Sequence, residues 1–248
     1  MKILCLGTGA ACDPGRGNTS LLLDNRLLLD CGFTAAHAYF RRHPAADDLE
    51  GVWISHFHGD HCFALPLLLL GLWERRRTRP LVVAGPPGLN VQVRQLLELS
   101  YPGFAARFAF SLETVEITPH TPFELAGYRC GAALTEHSRT NLAIRVDDGR
   151  FAVYYSGDGR PTAAGNALAR GCDLILHEAF ASGEPPPGHG SVQGSMAFAA
   201  TAGAGRLALL HVAPEARAAL PAAVDAGRKS FAGLQVEIPA DGDLFVLE

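Results

Sequence analysis

Short apolar runs recur throughout the chain and are separated by glycine, proline, aspartate and asparagine. Runs of this length between turn residues are typical of buried strands, and a few alternate with polar residues as half-buried strands do. Two pairs of runs are joined by short polar turns and predict hairpins. The predicted strands cover residues 2–6, 20–23, 27–29, 52–54, 81–84, 108–117, 129–135, 142–146, 150–155, 173–176 and 206–210, with two more near the C-terminus.

Segments of helical periodicity lie between these strands. They predict helices over residues 34–43, 63–77, 89–100, 162–170, 192–202 and 214–227, the first capped by Thr34 and stopped by Pro44. Each half of the chain begins with strands and then alternates strand and helix. This order predicts an α/β fold, a four-layer αββα sandwich of two mixed sheets, as a single domain over residues 1–248.

Composition limits the classes of protein that this sequence can represent. The 248 residues are 48% hydrophobic with a net charge of −4, which suits a large core and gives no general nucleic-acid footprint. The longest apolar run, residues 63–73, is too short to span a bilayer. The first six residues are too short for a signal peptide. Six scattered cysteines without a Cys-x-x-Cys pair are typical of reduced thiols, so we expect a cytoplasmic protein.

The densest group of metal-ligand side chains lies at residues 55–62, with the sequence Ser-His-Phe-His-Gly-Asp-His-Cys, directly after a predicted strand. On an extended turn His56 and His58 can bind one ion together, while Asp60 and His61 can face a second. A solvated polar loop is the alternative interpretation, but four ligand types at this density favour metal. Cys62 is not counted as a ligand, because histidine and aspartate already supply enough donors.

Three further candidates, His137, Asp158 and His211, each end a predicted strand. Strand ends at one edge of a sandwich converge in space, so these residues can meet the first four around one site. Asp30 also ends a strand, where it either orients a ligand histidine or serves as an ordinary turn residue.

The motif His-x-His-x-Asp-His, with these later residues, resembles the metallo-β-lactamase superfamily. The resemblance implies two divalent metal ions per chain, Zn²⁺ by expectation with Mn²⁺ or Fe as alternatives. It assigns His56, His58 and His137 to the first ion, Asp60, His61 and His211 to the second, and Asp158 as the bridge. A water shared by two such ions loses its proton near neutral pH, and Asp60 can orient that water or take its proton.

Within the superfamily the chain is most similar to the tRNase Z-like branch. Its Gly7-Thr8-Gly9 loop, Gly-Pro-Pro-Gly at residues 85–88, Ser156-Gly157-Asp158 and His177-Glu178-Ala179 resemble motifs of that branch. There the glutamate and a later histidine are thought to protonate the leaving oxygen. Glu178 matches the first, and His189 is taken as the second, although it lies in Gly-His-Gly-Ser where the branch prefers His-Ser-Thr.

The long arm with which tRNase Z enzymes grip tRNA is absent, because a bare predicted hairpin joins His137 to Asp158. We therefore expect intact precursor tRNA to be a poor substrate. The favoured function is hydrolysis of a small, cyclic or nucleotide phosphodiester, or of a nucleic acid. A lactone, ester or thioester hydrolase, and a non-enzymatic metal- or RNA-binding module, are the alternatives. Relatives are often dimers, so a homodimer is compatible with the sequence.

Overall fold

Two seven-stranded mixed sheets form the centre of the protein in a computed structural model that describes residues 1–42 and 45–248. The first sheet contains, in spatial order, β14 (Leu244–Val246), β1 (Lys2–Gly7), β2 (Ser20–Leu23), β3 (Leu27–Leu29), β4 (Gly51–Trp53), β5 (Leu81–Gly85) and β6 (Leu112–Glu116). The second contains β13 (Gln235–Glu237), β12 (Arg206–Leu210), β11 (Leu174–Glu178), β10 (Ala152–Tyr155), β9 (Leu142–Asp147), β8 (Tyr128–Leu134) and β7 (Phe123–Leu125).

Helices cover the outer face of each sheet. They are α1 (Ala35–Arg42), α2 (Gly59–Cys62), α3 (Leu65–Glu74), α4 (Leu89–Ser100), α5 (Ala163–Ala169), α6 (Val192–Ala202) and α7 (Leu220–Arg228), with 3₁₀ turns at Phe104–Arg107 and Pro214–Ala219. Helices α1, α3 and α4 pack on the first sheet, and α5, α6 and α7 pack on the second.

Alternation along the strands separates the central core from the two outer ones. Leu21 and Leu23 of β2 point into the layer between the sheets, whereas Leu22 between them points toward the helices. Each such leucine is fully buried and contributes roughly 1.5–3 kcal/mol to stability. This layering confirms the αββα sandwich predicted from the sequence.

Two predicted elements differ from the observed ones, and one observed strand was not predicted. The helix predicted over residues 63–77 is in fact two helices, because α2 begins already at Gly59 and the chain turns at Phe63 before α3. The last predicted helix begins as a 3₁₀ turn, and the short strand β7 was not predicted. The predicted end of α1 at His43 and Pro44 lies outside the described residues.

The direction of the strands gathers several loops at one edge of the sandwich. Strands β3 to β6 run parallel to one another, as do β10 to β13. Strand β8 runs antiparallel to β9 and β9 antiparallel to β10, so β8 points in the same direction as β10. The loops that follow β4, β8, β10, β11 and β12 carry the candidate site. Among the described residues, no helix combines the length and apolarity needed to cross a bilayer.

Candidate metal centre

The structure brings His56, His58, His137 and Asp158 together as a first group of donors. Nδ1 of His58 lies 3.0 Å from Nε2 of His56 and 3.2 Å from Nε2 of His137. Oδ2 of Asp158 is 3.8 Å from Nε2 of His56 and 3.9 Å from Nε2 of His137. Three nitrogens and one oxygen at these separations surround a space that suits one cation.

A second group of donors contains Asp60, His61, His211 and the same Asp158. Nε2 of His61 lies 3.3 Å from Oδ2 of Asp60 and 3.2 Å from Oδ1 of Asp158. Nε2 of His211 lies 3.2 Å and 3.5 Å from the same two oxygens. Asp158 therefore directs one carboxylate oxygen into each group, which is the arrangement that a bridging ligand needs.

Hydrogen bonds on the far side of the imidazoles show which nitrogens carry lone pairs. Nδ1 of His137 donates to the carbonyl of Gly188 at 2.7 Å, and Nδ1 of His61 donates to Oδ2 of Asp30 at 2.7 Å. The Ser55 hydroxyl donates to Asp30, so it accepts from Nδ1 of His56 at 3.0 Å. Nε2 of His56 and Nε2 of His137 are therefore directed into the first group of donors and Nε2 of His61 into the second, where each nitrogen can offer its lone pair to a metal ion.

The charges around the two groups support the same fit. Burial lowers the pKa of His56 well below its ordinary value and also lowers the pKa of His58 and His137, so these imidazoles are neutral at pH 7. Burial also opposes a charge on His61, but Asp158 and Asp30 outweigh it and raise the pKa of His61 well above its ordinary value. Within the described part of the chain, buried Oδ1 of Asp158 has no hydrogen-bond donor. The site attracts positive charge.

Asp30 fixes the orientation of the metal loop from behind. Its carboxylate accepts from Ser55 N at 2.7 Å, from the Ser55 hydroxyl at 2.8 Å, from His61 and from the Tyr155 hydroxyl at 2.7 Å. Asp30 is therefore not an ordinary turn residue, because it orients the imidazole of His61. Tyr155 comes from the other sheet, so Asp30 also links the two halves of the site.

Glu178 and His189 form a direct hydrogen bond between Oε1 and Nδ1. The other carboxylate oxygen accepts from Gly159 N. Burial, with the charge of Asp158, raises the pKa of Glu178 well above its ordinary value, while burial lowers the pKa of His189. The hydrogen bond between Oε1 and Nδ1 requires one proton between the two groups, and it leaves Nε2 of His189 to face a ligand. One donor atom from each of Asp158, Glu178, His189 and His211 lies within 4.8 Å of the others.

Two residues around His189 were missed by sequence reasoning. The ring of Phe180 stacks on His189 with centroids 4.5 Å apart. Arg160 donates from Nε to the His189 carbonyl at 3.2 Å and from Nη2 to the Pro185 carbonyl at 3.4 Å. The only sequence signal for either residue was its position, since Phe180 follows His177-Glu178-Ala179 and Arg160 lies two residues after Ser156-Gly157-Asp158.

Gly157 shows why the loop after β10 has its sequence. It has a φ of +58°, and an added Cβ would lie 2.6 Å from Cβ of Ser55 and 2.5 Å from Oδ1 of Asn141. A side chain there would separate Asp158 from the metal loop. Cys62 lies beside the site but directs its thiol to the His58 carbonyl at 3.3 Å, and it belongs to neither group of donors.

Comparison with known proteins places this site in a family. A model of the beta-lactamase superfamily domain matches residues 25–212. Ribonuclease BN of Escherichia coli O6:K15:H31 is 28% identical, and that of Erwinia tasmaniensis 29%, each over 86% of this chain and 89% of the relative. The first alignment extends over 271 residues, more than this whole chain contains, so that relative carries residues that this chain lacks.

Solved structures agree on the fold. The metallo-beta-lactamase fold protein YhfI from Bacillus subtilis superposes with a TM-score of 0.83 at 22% identity, covering 99% of both chains. The short form of human tRNase Z gives 0.82 at 22% identity over all of both chains. A diphosphatase of the PhnP family gives 0.74 at 18% identity, covering all of this chain and 98% of the other.

Proposed function

Because this chain belongs to the beta-lactamase superfamily, we propose that it is a dinuclear metal-dependent hydrolase that cleaves phosphodiesters. His56, His58 and His137 would hold one divalent ion, Asp60, His61 and His211 would hold the other, and Asp158 would serve both. Bound there, the ions would supply a hydroxide at neutral pH and polarise a phosphoryl oxygen. Zinc is the expected metal, and Asp60 orients the attacking water.

One observation carries the choice of phosphodiester, namely the Glu178–His189 pair beside the donor groups. An alkoxide expelled from phosphorus needs a proton, whereas a thiolate leaving a thioester does not. An ester or a lactone also expels an alkoxide, and the substrate comparison below separates these from a phosphodiester. His189 is placed to supply that proton through Nε2, with Glu178 holding Nδ1 and so directing the ring. The names of the similar proteins, ribonuclease BN and a diphosphatase, are compatible with chemistry at phosphorus.

A leaving-group series tests the proposed role of His189. His189→Ala should slow alkyl phosphodiesters by ~10²–10⁴-fold, the usual contribution of a general acid, and nitrophenyl diesters far less. The measurement is kcat/KM on both classes, with a lactone and a thioester as alternative substrates. Glu178→Gln should show the same pattern as His189→Ala with smaller losses. Glu184→Gln changes an exposed glutamate in the same loop and is the matched control. Equal losses across the series would show that these residues only position substrate or hold the loop.

Metal content is the companion measurement. Elemental analysis after metal loading should give two ions per chain, because seven ligand side chains exceed what one tetrahedral ion can use. It should stay at two in His189→Ala, since His189 is not among the proposed ligands. A stoichiometry that remains at or below one rejects the dinuclear assignment.

A further inference from the structure

One of the candidate ligand histidines differs from the others on the side that faces away from the donor groups. Nδ1 of His56, His61 and His137 is held there by a hydroxyl, a carboxylate and a carbonyl, respectively. Within the described residues, Nδ1 of His211 is buried and has no hydrogen-bond partner. A histidine that binds a metal ion through one nitrogen usually donates the proton on the other to a nearby acceptor. His211 therefore needs an acceptor beside Nδ1.

The backbone and Nε2 of His211 already have defined positions. The backbone N donates to the Thr8 carbonyl at 3.0 Å, and φ is +53°, in the left-handed region that is unfavourable for a residue with a side chain. Nε2 lies 3.2 Å from Oδ2 of Asp60 and 3.5 Å from Oδ1 of Asp158, so it faces the second group of donors. Nδ1 is consequently directed the other way, toward the end of β11.

The carboxylate of Glu178 lies at the end of β11 and is fully buried. Its Oε1 is 3.9 Å from Nδ1 of His211, about 1 Å beyond an ordinary hydrogen bond. Oε2 accepts from Gly159 N, and the backbone N donates to the Ser156 hydroxyl at 2.9 Å, so the glutamate is fixed at both ends. Oε1 accepts from Nδ1 of His189, but a carboxylate oxygen has lone pairs for two donors. The oxygen thus has room for a second imidazole.

We propose that Oε1 of Glu178 accepts hydrogen bonds from His211 and His189 together. One carboxylate then orients both a ligand of the second donor group and the acid that protonates the leaving group. This inference rests on the proposed function, because that function assigns His211 to the second ion and His189 to the leaving oxygen. Glu178 is a positioning residue for the metal centre through His211, as Asp30 is through His61.

Zinc affinity tests the link between Glu178 and His211 apart from catalysis. Zn²⁺ is titrated into chelator-treated protein against a competing chromophoric chelator, which gives a dissociation constant for each ion. Glu178→Gln should weaken binding of the second ion by roughly 10–100-fold, the usual effect of losing such a partner, and leave the first unchanged. The glutamine NH₂ group would oppose either the N–H of Gly159 or the N–H groups of the two imidazoles, so the original set of hydrogen bonds cannot be kept.

Further variants identify the route of the effect. His189→Ala and Glu184→Gln should change neither constant, because His211 keeps its carboxylate. Glu178→Gln should cause no further loss of zinc affinity in His211→Ala, since both changes act on one ligand, but should still weaken the second ion in His58→Ala. An unchanged second constant in Glu178→Gln, or an equal loss in His189→Ala, would overturn the proposal.

Excess zinc separates the two roles of Glu178. At saturating Zn²⁺, Glu178→Gln should recover most of its kcat/KM on a nitrophenyl diester, while the loss on an alkyl diester persists because His189 is still poorly oriented. A nitrophenyl rate that zinc does not restore would count against the link to His211. If wild-type protein binds two ions but cleaves no phosphodiester, the proposed function fails, and the zinc titration still decides this inference. If it binds no second ion, both fail.

Discussion

At the scale of single residues, Asp158 has the most demanding position. It is 2% exposed, and its two oxygens face different groups of donors. Backbone N of Asp158 is held by Oδ1 of Asn141 at 3.2 Å, so the position of the side chain does not depend on its own charge. A neutral side chain of the same shape should therefore fit here without supplying the shared negative charge.

Asp158→Asn should accordingly lower kcat/KM by roughly 10³-fold, since a bridging carboxylate stabilises two cations by several kcal/mol. The thermal midpoint of the chelator-treated protein should change little, because the strands on either side are unaltered. Both quantities are to be measured alongside metal content. Near-native turnover with two ions bound would show that Asp158 does not bridge.

His177 precedes Glu178 but has a different environment. Nδ1 donates to the Glu178 carbonyl at 2.8 Å, and within the described residues buried Nε2 has no partner. The ring lies between Tyr154 and Phe198. Protonation would place a charge among these rings, so burial lowers the pKa of His177 to about 4. The histidine is a neutral core residue.

This low pKa predicts a pH dependence of stability. Between pH 6.5 and pH 4 the unfolded chain binds a proton at His177 that the folded chain does not, so stability falls as pH falls through that window. From pH 7 to pH 5 this term amounts to about 2 kcal/mol. On acidification the free energy of unfolding of His177→Phe should fall by that much less than that of the wild type. The substitution leaves the Glu178 carbonyl with a donor, because the Ser195 hydroxyl still donates to it at 2.6 Å. Urea unfolding of both proteins with chelator present measures the difference, and parallel pH profiles would contradict it.

At the scale of elements, the site depends on how loops are fastened to one another. Arg160 follows Asp158 by two residues, pairs through its backbone with Glu136 beside His137, and holds the loop of His189 through two carbonyls. One residue, through its backbone and its side chain, thus connects the loops after β8, β10 and β11. Arg160 is a positioning residue for His189.

Arg160→Ala should reproduce the leaving-group pattern of His189→Ala more weakly, with metal content unchanged. The two changes should also be non-additive, because both act on one imidazole. A double-mutant cycle on an alkyl phosphodiester measures the coupling. Arg129→Ala, which removes an exposed arginine paired with Asp147 at 3.1 Å, is the control. Additive losses would show that Arg160 acts elsewhere.

The helices that the sequence predicted well are those whose ends are set by nearby capping residues. Helix α6 begins after Ser191, which caps Gly194 N, and it ends at Gly203 with φ of +76°. Helix α5 is capped in the same way by Thr162. The break at Phe63 has no such signal, because the apolar run continues through it.

The same reasoning separates the predictable from the unpredictable parts of the site. His56, His58 and His61 lie in one sequence motif. The residues that meet them, His137, Asp158 and His211, were predicted because each ends a predicted strand. The donation of His137 to Gly188 and the hold of Arg160 on Pro185 join residues 51 and 25 apart in sequence. Such contacts follow from tertiary packing of loops, which no local pattern encodes.

At the scale of the whole molecule, no arm projects from the described residues between His137 and Asp158. Strands β9 and β10 form a hairpin whose pairing begins at Asp147 and Ala152. Only residues 148–151, a short turn, connect the two strands. The net charge of −4 offers no substitute for the phosphate contacts that an arm would make.

Precursor tRNA should therefore be cleaved at least ~10²-fold less efficiently than a short single strand, as judged by kcat/KM in the same buffer. The loss of several phosphate contacts has an effect of this size at physiological salt. Turnover of the short strand serves as the internal control for active protein. Efficient, site-specific removal of a 3′ trailer from precursor tRNA by this chain alone would contradict the expectation.

Each of the two groups of donors contains residues from loops of both sheets, so the centre joins distant parts of the chain. His58 and His137 are 79 residues apart in sequence, and His61 and His211 are 150 apart. Ions bound between them would link segments that far apart, and they would stabilise the folded chain because the unfolded chain lacks the assembled site. The centre cannot assemble before the halves of the sandwich have docked. Metal ions bound at this centre would therefore also stabilise the docked arrangement of the two sheets.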